Sequence, residues 1–368
     1  MGATFRIGRV AGIPIGVHWS LVVIAALLTT SLAGSLLPSV VPNARGSYWA
    51  AAVLAAALFF ASILAHELSH AIVARHFGQR VEDITLWILG GVSRLGSESP
   101  SPRAEALVAL AGPGMSLLLG ALFFGGGHLL HGAEPNSLLA VVFIWLGAVN
   151  LILAAFNLLP GAPLDGGRVV SAYLWHRHGD RRRAQIGAAR SGRVVGSALI
   201  ALGLLNLVTG IGVGTLWTAL VGFFIVQASH AEERMAATAR ALEGVRVRDV
   251  MTPAPPEIPE WLTAGEVRNT IAPPPAPHHL MVLRSFDGSV HAVVPVDAIR
   301  HLPPEVPVRD AARAAVVAPP DARVLDVVEQ QRPFSAIVVM DGAQVRGVIG
   351  SDELEGAQRG TARVPSGR

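Results

Sequence analysis

The chain has 368 residues, of which 51% are hydrophobic and only 15% charged, and its mean hydropathy is +0.49. That is too little charge to cover a soluble protein of this size, so the composition points to a membrane protein. The formal net charge of +3 gives no bulk attraction for nucleic acid, and with no cysteine there are no disulfides, thiolate metal sites or cysteine nucleophiles.

The N-terminus carries no cleavable-signal pattern: Ile13-Pro14 leads into an apolar run too long for a signal core, with no small-residue cleavage site. A hydrocarbon layer of roughly 30 Å takes about 20 apolar residues of helix. Six stretches qualify, near 15–37, 49–74, 104–130, 137–159, 192–208 and 212–229. Gly112-Pro113-Gly114 interrupts the third, where a kink is expected. All basic residues are Arg, and they are distributed unevenly between the spans. Arg6 and Arg9 precede the first span; Arg75, Arg80, Arg94 and Arg103 separate the second from the third. Arg168, Arg177, Arg181, Arg182, Arg183, Arg190 and Arg193 separate the fourth from the fifth. The opposite connections hold only Arg45. By the positive-inside rule both termini are expected in the cytoplasm of a multi-pass cell-membrane protein, in keeping with six crossings. The run Arg181-Arg182-Arg183 reads as a topology anchor at anionic lipid.

Near Arg234 the composition changes: prolines cluster, charge returns, and no later apolar run is long enough to span. The expected division is a membrane domain over 1–234 and a small cytoplasmic α/β domain over 245–368, its extreme C-terminus disordered. The second domain carries a weak internal repeat. Val247-Arg248-Asp249 returns as Val308-Arg309-Asp310, and each copy leads to two apolar β-branched runs joined by Asp-Gly, at Asp287-Gly288 and Asp341-Gly342. Asp-Gly between such runs is a hairpin signal.

The chemistry lies in Ala65-His66-Glu67-Leu68-Ser69-His70 of the second span. Residues i and i+4 share a helix face, so both imidazoles can address one metal ion, with Glu67 beside them to take a proton from water. Ionisable groups inside a span are costly and mark function. A zinc hydrolase usually takes a third protein ligand. The candidate is Asp165, in the run Asn157-Leu158-Leu159-Pro160-Gly161-Ala162-Pro163-Leu164-Asp165-Gly166-Gly167, expected on irregular backbone at the inner end of the fourth span. The second span runs outside to inside, so His70 and Asp165 both fall toward the cytoplasmic side. A metal transporter or sensor gated by its tail is the competing reading. Such a site needs ligands but no base between them, so Glu67 speaks against it.

The HExxH motif, the N-x-x-P-x-x-P-L-D-G-G run and Gly90-Gly91-Val92 resemble those of the site-2 protease family of intramembrane zinc metalloproteases, in the prokaryotic branch with a C-terminal pair of CBS domains. The likeness spans essentially the whole chain. It implies a polytopic α-helical membrane protein of about six helices with a membrane-embedded strand or re-entrant segment, followed by a cytoplasmic CBS pair. It implies one zinc per chain held by His66, His70 and Asp165, with Glu67 as general base and Asn157 assisting at the developing oxyanion or the water. The substrate would be a transmembrane segment of another protein, cut in regulated intramembrane proteolysis. Residues 86–92, with Gly90, Gly91 and Val92, would bind that segment, unwound, as an added strand. The tail would regulate access or form a homodimer. Ser116 stands where relatives often carry Asn, and His18 resembles a feature at the start of the relatives' first span. Asn150 reads as an interhelix hydrogen bonder. The tail departs from the nucleotide-binding pattern of CBS modules, G-h-h-T-x-x-D, with Gly350 in place of the hydroxyl and Glu353 in place of the Asp, and the first copy has lost both. Weak or absent binding of ATP and AMP is therefore expected.

Overall fold

The structure, a computed structural model, describes residues 4–42, 44, 47–87, 90–134, 136–210, 215–271, 279–330, 336–350, 353, 354 and 356. The expected disorder of the extreme C-terminus falls outside these residues. Contacts divide the chain into Met1–Ala236 and Ala237–Arg368.

The first unit opens with β1 (Phe5–Val10) and β2 (Ile13–Val17), an antiparallel pair. The expected first span began two residues into β2. Pro14 and the β-branched residues around it pair with β1, and a later strand covers the other edge, so the segment is drawn into a sheet. The helix proper is α1 (Ser20–Ser31), a π-helical turn over Leu32–Leu36, and α2 (Leu37–Val40). Next come α3 (Tyr48–His76), the hairpin β3 (Val81–Trp87) and β4 (Gly90–Leu95), and α4 (Pro102–Ala133). Ser101 caps α4 by accepting from the Ala104 N–H at 3.2 Å, and Pro102 occupies the first turn, where its missing N–H costs nothing. Helix α4 is assigned as one element straight through Pro113. Then follow α5 (Leu138–Asn157), α6 (Asp165–His178), α7 (Arg181–Thr209) and α8 (Thr215–Ala241). Gly179, at φ +73°, ends α6, and Asp180 caps α7 through the Arg183 N–H at 2.8 Å.

Five helices among the described residues are long and apolar enough to cross a membrane: Ser20–Val40, Tyr48–His76, Pro102–Ala133, Leu138–Asn157 and Arg181–Thr209. The sixth expected span, 212–229, begins outside the described residues and continues as the first half of α8. Helix α7 starts well before the expected 192, so its first turns carry the arginine cluster. Arg181 pairs with Glu98 and, at 3.4 Å, with the buried Glu105; Arg182 reaches Glu98 at 2.6 Å. Arg181 and Arg182 are thus engaged by carboxylates within the protein.

The four-stranded sheet runs β1-β2-β3-β4, with β2 and β3 parallel and β4 at an edge. Ile13, Ile15 and Ile84 bury against Ala71 of α3. Helix α3 turns a face of small residues inward: Ala52, Ala55, Ala56, Ser62, His66, His70, Ala71 and Ala74 are buried. On α4 the matching row, four residues apart, is Ala104, Val108, Gly112, Ser116 and Gly120. Lipid gives no hydrophobic force between helices, so close approach through small side chains and buried hydrogen bonds holds such a pair together.

The second unit is a seven-stranded sheet in the order β5-β11-β10-β9-β8-β7-β6. Its elements in chain order are α9 (Val247–Val250), β5 (Thr252–Pro253), β6 (Glu257–Pro259), α10 (Ala264–Thr270), β7 (Leu280–Arg284), β8 (Val290–Pro295), α11 (Val296–His301), β9 (Arg313–Ala318), α12 (Val324–Gln330), β10 (Ala336–Asp341) and β11 (Gln344–Ile349). The two Asp-Gly hairpins are β7–β8 and β10–β11. The repeat is structural as well, since Val247 and Val308 are both buried in one-turn helical segments. Strand alternation divides the apolar residues between cores: Ile337 and Val339 join one, while Val282, Ala336 and Val338 meet in another that both hairpins share.

Candidate metal centre

The i, i+4 spacing on α3 sets His66 and His70 against the row Val108, Gly112, Ser116 on α4. His70 Nδ1 donates to the Val108 carbonyl at 2.7 Å, and His66 Nδ1 pairs with Ser116 Oγ at 2.9 Å. Between them Gly112 leaves room, because a Cβ there would overlap His70 Nε2 and lie 2.6 Å from His66 Nε2. Both Nε2 atoms therefore face the same point, 3.2 Å apart.

The third member comes from the segment between α5 and α6. Residues 158–164 form an irregular loop, and Asp165 is the first residue of α6. This corrects the expectation of irregular backbone at Asp165 itself. The free N–H groups of a helix N-terminus favour a carboxylate, which is a reason to seat it there. Its Oδ2 lies 3.3 Å from His66 Nε2 and 3.2 Å from His70 Nε2. Among the described residues this is the group of His, Asp and Glu able to hold a metal ion, its ligand atoms all within 4.8 Å.

Metal and ligand set fit on two counts. Tetrahedral zinc ligands at about 2.0–2.1 Å from the ion stand roughly 3.3 Å from one another, and the three sides of this triangle match that. A carbonyl only accepts, so the proton of a neutral His70 ring sits on Nδ1 and its Nε2 is a lone pair. A lone pair and a carboxylate oxygen turned toward each other in a buried place call for a cation between them.

Glu67, next in the chain to His66, meets β4. Ser93 Oγ donates to Glu67 Oε2 at 2.9 Å, and a Cβ on Gly91 would overlap Glu67 Cγ. Gly91 and Ser93 share one face of β4, so this strand lies directly over the carboxylate. Gly90, Gly91 and Val92 pair with β3 on one side (Trp87, Leu86 and Thr85), and β4 ends the sheet on the other. Ile88 and Leu89 of the expected substrate segment lie outside the described residues.

Asn157 closes α5, and its Nδ2 donates back to the Leu153 carbonyl at 3.0 Å. No hydrogen bond among the described residues joins it to Glu67 or to the triangle. Asn150 likewise bonds within its own helix, to Leu146 O at 2.9 Å, rather than between helices. His18 Nδ1 accepts from the Ser20 N–H at 3.3 Å and lies 2.8 Å from Ser20 Oγ. Sequence reading missed Ser93 and Gly112 and left Ser116 without a role. The four-residue row Val108-Gly112-Ser116 and the alternation of Gly91 with Ser93 were the available signals.

The sequence profile of peptidase family M50 matches residues 54–135 and 128–202. A Mycobacterium tuberculosis protein named as the zinc metalloprotease Rip3 is 41% identical over 355 residues, 93% of this chain and 90% of that one. The solved site-2 protease of Methanocaldococcus jannaschii is 24% identical, covering 62% of this chain and 94% of its own, with a TM-score of 0.42. The solved CBS domain of a CBS domain-containing membrane protein from Sphaerobacter thermophilus is 15% identical, covering 34% of this chain and 95% of its own, with a TM-score of 0.24.

Proposed function

Because this chain belongs to peptidase family M50 and is a membrane-embedded zinc metalloprotease of the site-2 type, we propose that it cuts transmembrane or membrane-proximal segments of other proteins. The observation that carries this is the convergence of His66, His70 and Asp165 beside a carboxylate that lies under an edge strand.

In this reading one zinc per chain is held by His66 Nε2, His70 Nε2 and Asp165. The ion, when bound, supplies Lewis acidity that lowers the pKa of water to about 7 and polarises a peptide carbonyl. Glu67 takes the proton of the attacking water and delivers it to the leaving amine. Ser93 holds one of its oxygens and leaves the other to do this. Ser116 and the Val108 carbonyl orient the two rings. Asn157, with one amide hydrogen on the Leu153 carbonyl, keeps a second one to offer the developing oxyanion or the water. A substrate helix hides its peptide groups in its own hydrogen bonds; the outer edge of β4, which ends the sheet among the described residues, with Gly90, Gly91 and Val92, offers replacements to an unwound stretch.

Purified wild-type protein in liposomes, given single-span membrane proteins, is expected to release fragments cut within or beside the span, identified by mass spectrometry. Fully zinc-loaded protein that cuts none of them would favour the competing reading, a metal transporter or sensor.

The orientation that goes with this reading has both termini in the cytoplasm. Reporter fusions at Glu134 and Thr209 are expected outside and one at Gly179 inside. An inside signal at Glu134 would reverse the assignment.

We further propose that the second unit is a CBS-like pair that gates access or dimerises the enzyme without an adenine nucleotide. Gly350 stands where the nucleotide-binding pattern has a hydroxyl, and its N–H donates to one oxygen of Glu353 at 2.8 Å, tying the longer carboxylate that replaces the Asp to its own turn. Hydrogen bonds to a charged acceptor are worth about 1.5–3 kcal/mol each. Calorimetry with ATP is expected to show no micromolar binding, and a micromolar constant would make the tail an energy sensor.

A further inference from the structure

The loop that presents Asp165 is held from behind. The Ala162 N–H donates to the Ala188 carbonyl of α7 at 3.1 Å, and the Ala162 carbonyl accepts from Ser229 Oγ of α8 at 2.6 Å. Ser229 is 0% exposed. A helical serine commonly bonds back to its own helix, and this one also lies 2.7 Å from the Ile225 carbonyl. Its single proton is thus shared with a carbonyl outside the helix. Gly192 of α7 makes the approach possible, because a Cβ there would overlap Ala162 O and lie 2.5 Å from Ser229 Oγ. Four residues on, Glu233 of α8 takes Arg193 at 2.6 Å and Arg190 at 3.1 Å, which fixes α8 against α7 at this level.

Between Ala162 and Asp165 there is little slack. The Leu164 N–H donates to Gly161 O at 3.1 Å and the Gly167 N–H to Leu164 O at 2.9 Å, closing a tight turn into α6. A displacement of Ala162 is therefore passed on to Asp165. We infer that Ser229 is a positioning residue for Asp165: through Ala162 it holds the carboxylate on the two histidines, and α8 thereby becomes part of the metal site. The inference rests on Asp165 being a zinc ligand. Helix α8 is also the element that crosses from the first unit into the second, at Ala236–Ala237. The Ser229–Ala162 bond is thus the place where a shift of that helix would be felt at the ligand.

The test uses the full-length, zinc-loaded protein and follows the release of zinc to a chelating dye, alongside kcat and KM for cleavage. Ser229→Ala is expected to load zinc but to release it about 10–100-fold faster, the range for lost outer-shell partners of metal ligands. Its kcat is expected to fall while KM stays. Ser229→Cys, close in size but a weak donor, is expected to behave likewise and serves if the alanine variant does not fold. Asp165→Ala, run beside them, is expected to hold no zinc. Wild-type release from both Ser229 variants, with Asp165→Ala empty, would overturn the role of Ser229 and leave the ligand reading standing. Full zinc in Asp165→Ala would overturn both.

Discussion

Glu67→Gln is expected to keep its zinc and lose cleavage by about 10²–10⁴-fold, the usual contribution of a positioned general base. The geometry separates the two functions. His66, His70 and Asp165 form the triangle without Glu67, whose Oε2 accepts from Ser93 Oγ of β4 at 2.9 Å. Glutamine has the same shape and can still accept from Ser93, so packing under Gly91 survives, but a neutral amide cannot take up the proton of the attacking water. His66→Ala, His70→Ala and Asp165→Ala each remove one corner of the triangle and are expected to lose zinc together with activity. Metal analysis of the four purified variants checks this. Zinc missing from Glu67→Gln would make Glu67 a ligand, and zinc retained in Asp165→Ala would take that residue out of the ligand set.

Gly112→Ala should be nearly as damaging as loss of a ligand, although glycine has no side chain to contribute. The added methyl would overlap His70 Nε2 and lie 2.6 Å from His66 Nε2, so the rings must move or the two helices must part. Overpacking a close-fitting core costs about 1–3 kcal/mol, and a misplacement of about 1 Å at a reacting centre costs about 10²-fold in rate. Gly114, two residues along the same helix, has nothing within 4 Å of where its Cβ would stand. Gly114→Ala should therefore be neutral or slightly stabilising, since alanine is the better helix former by roughly 1 kcal/mol. Zinc content and cleavage rate of the two variants form the comparison. Equal behaviour would mean that the α3–α4 contact relaxes freely.

Much of this protein was legible in one dimension because its signals are local and periodic. The pair His66 and His70 depends only on the helical repeat, which puts both on one face whatever surrounds them. Five of the expected spans and both Asp-Gly hairpins followed from runs of apolar residues that lipid or a sheet must cover. The likeness of Asp165 and its neighbours to a known family supplied the third corner before any distance was available. Tertiary structure decided what local pattern cannot carry. Ile15–Val17 reads as the start of a span until β1 and β3 take up its backbone groups. Nothing local announces that Arg181 and Arg182 will meet Glu98, far off in sequence. The histidines' partners are a backbone carbonyl at Val108, which no side chain announces, and Ser116, fifty residues from His66. The grip of Ser229 on Ala162 spans sixty-seven residues. A sequence records which groups want a partner; which partner each one gets depends on helices meeting in space, and that is settled only when small residues such as Gly112 and Gly192 let them come close enough.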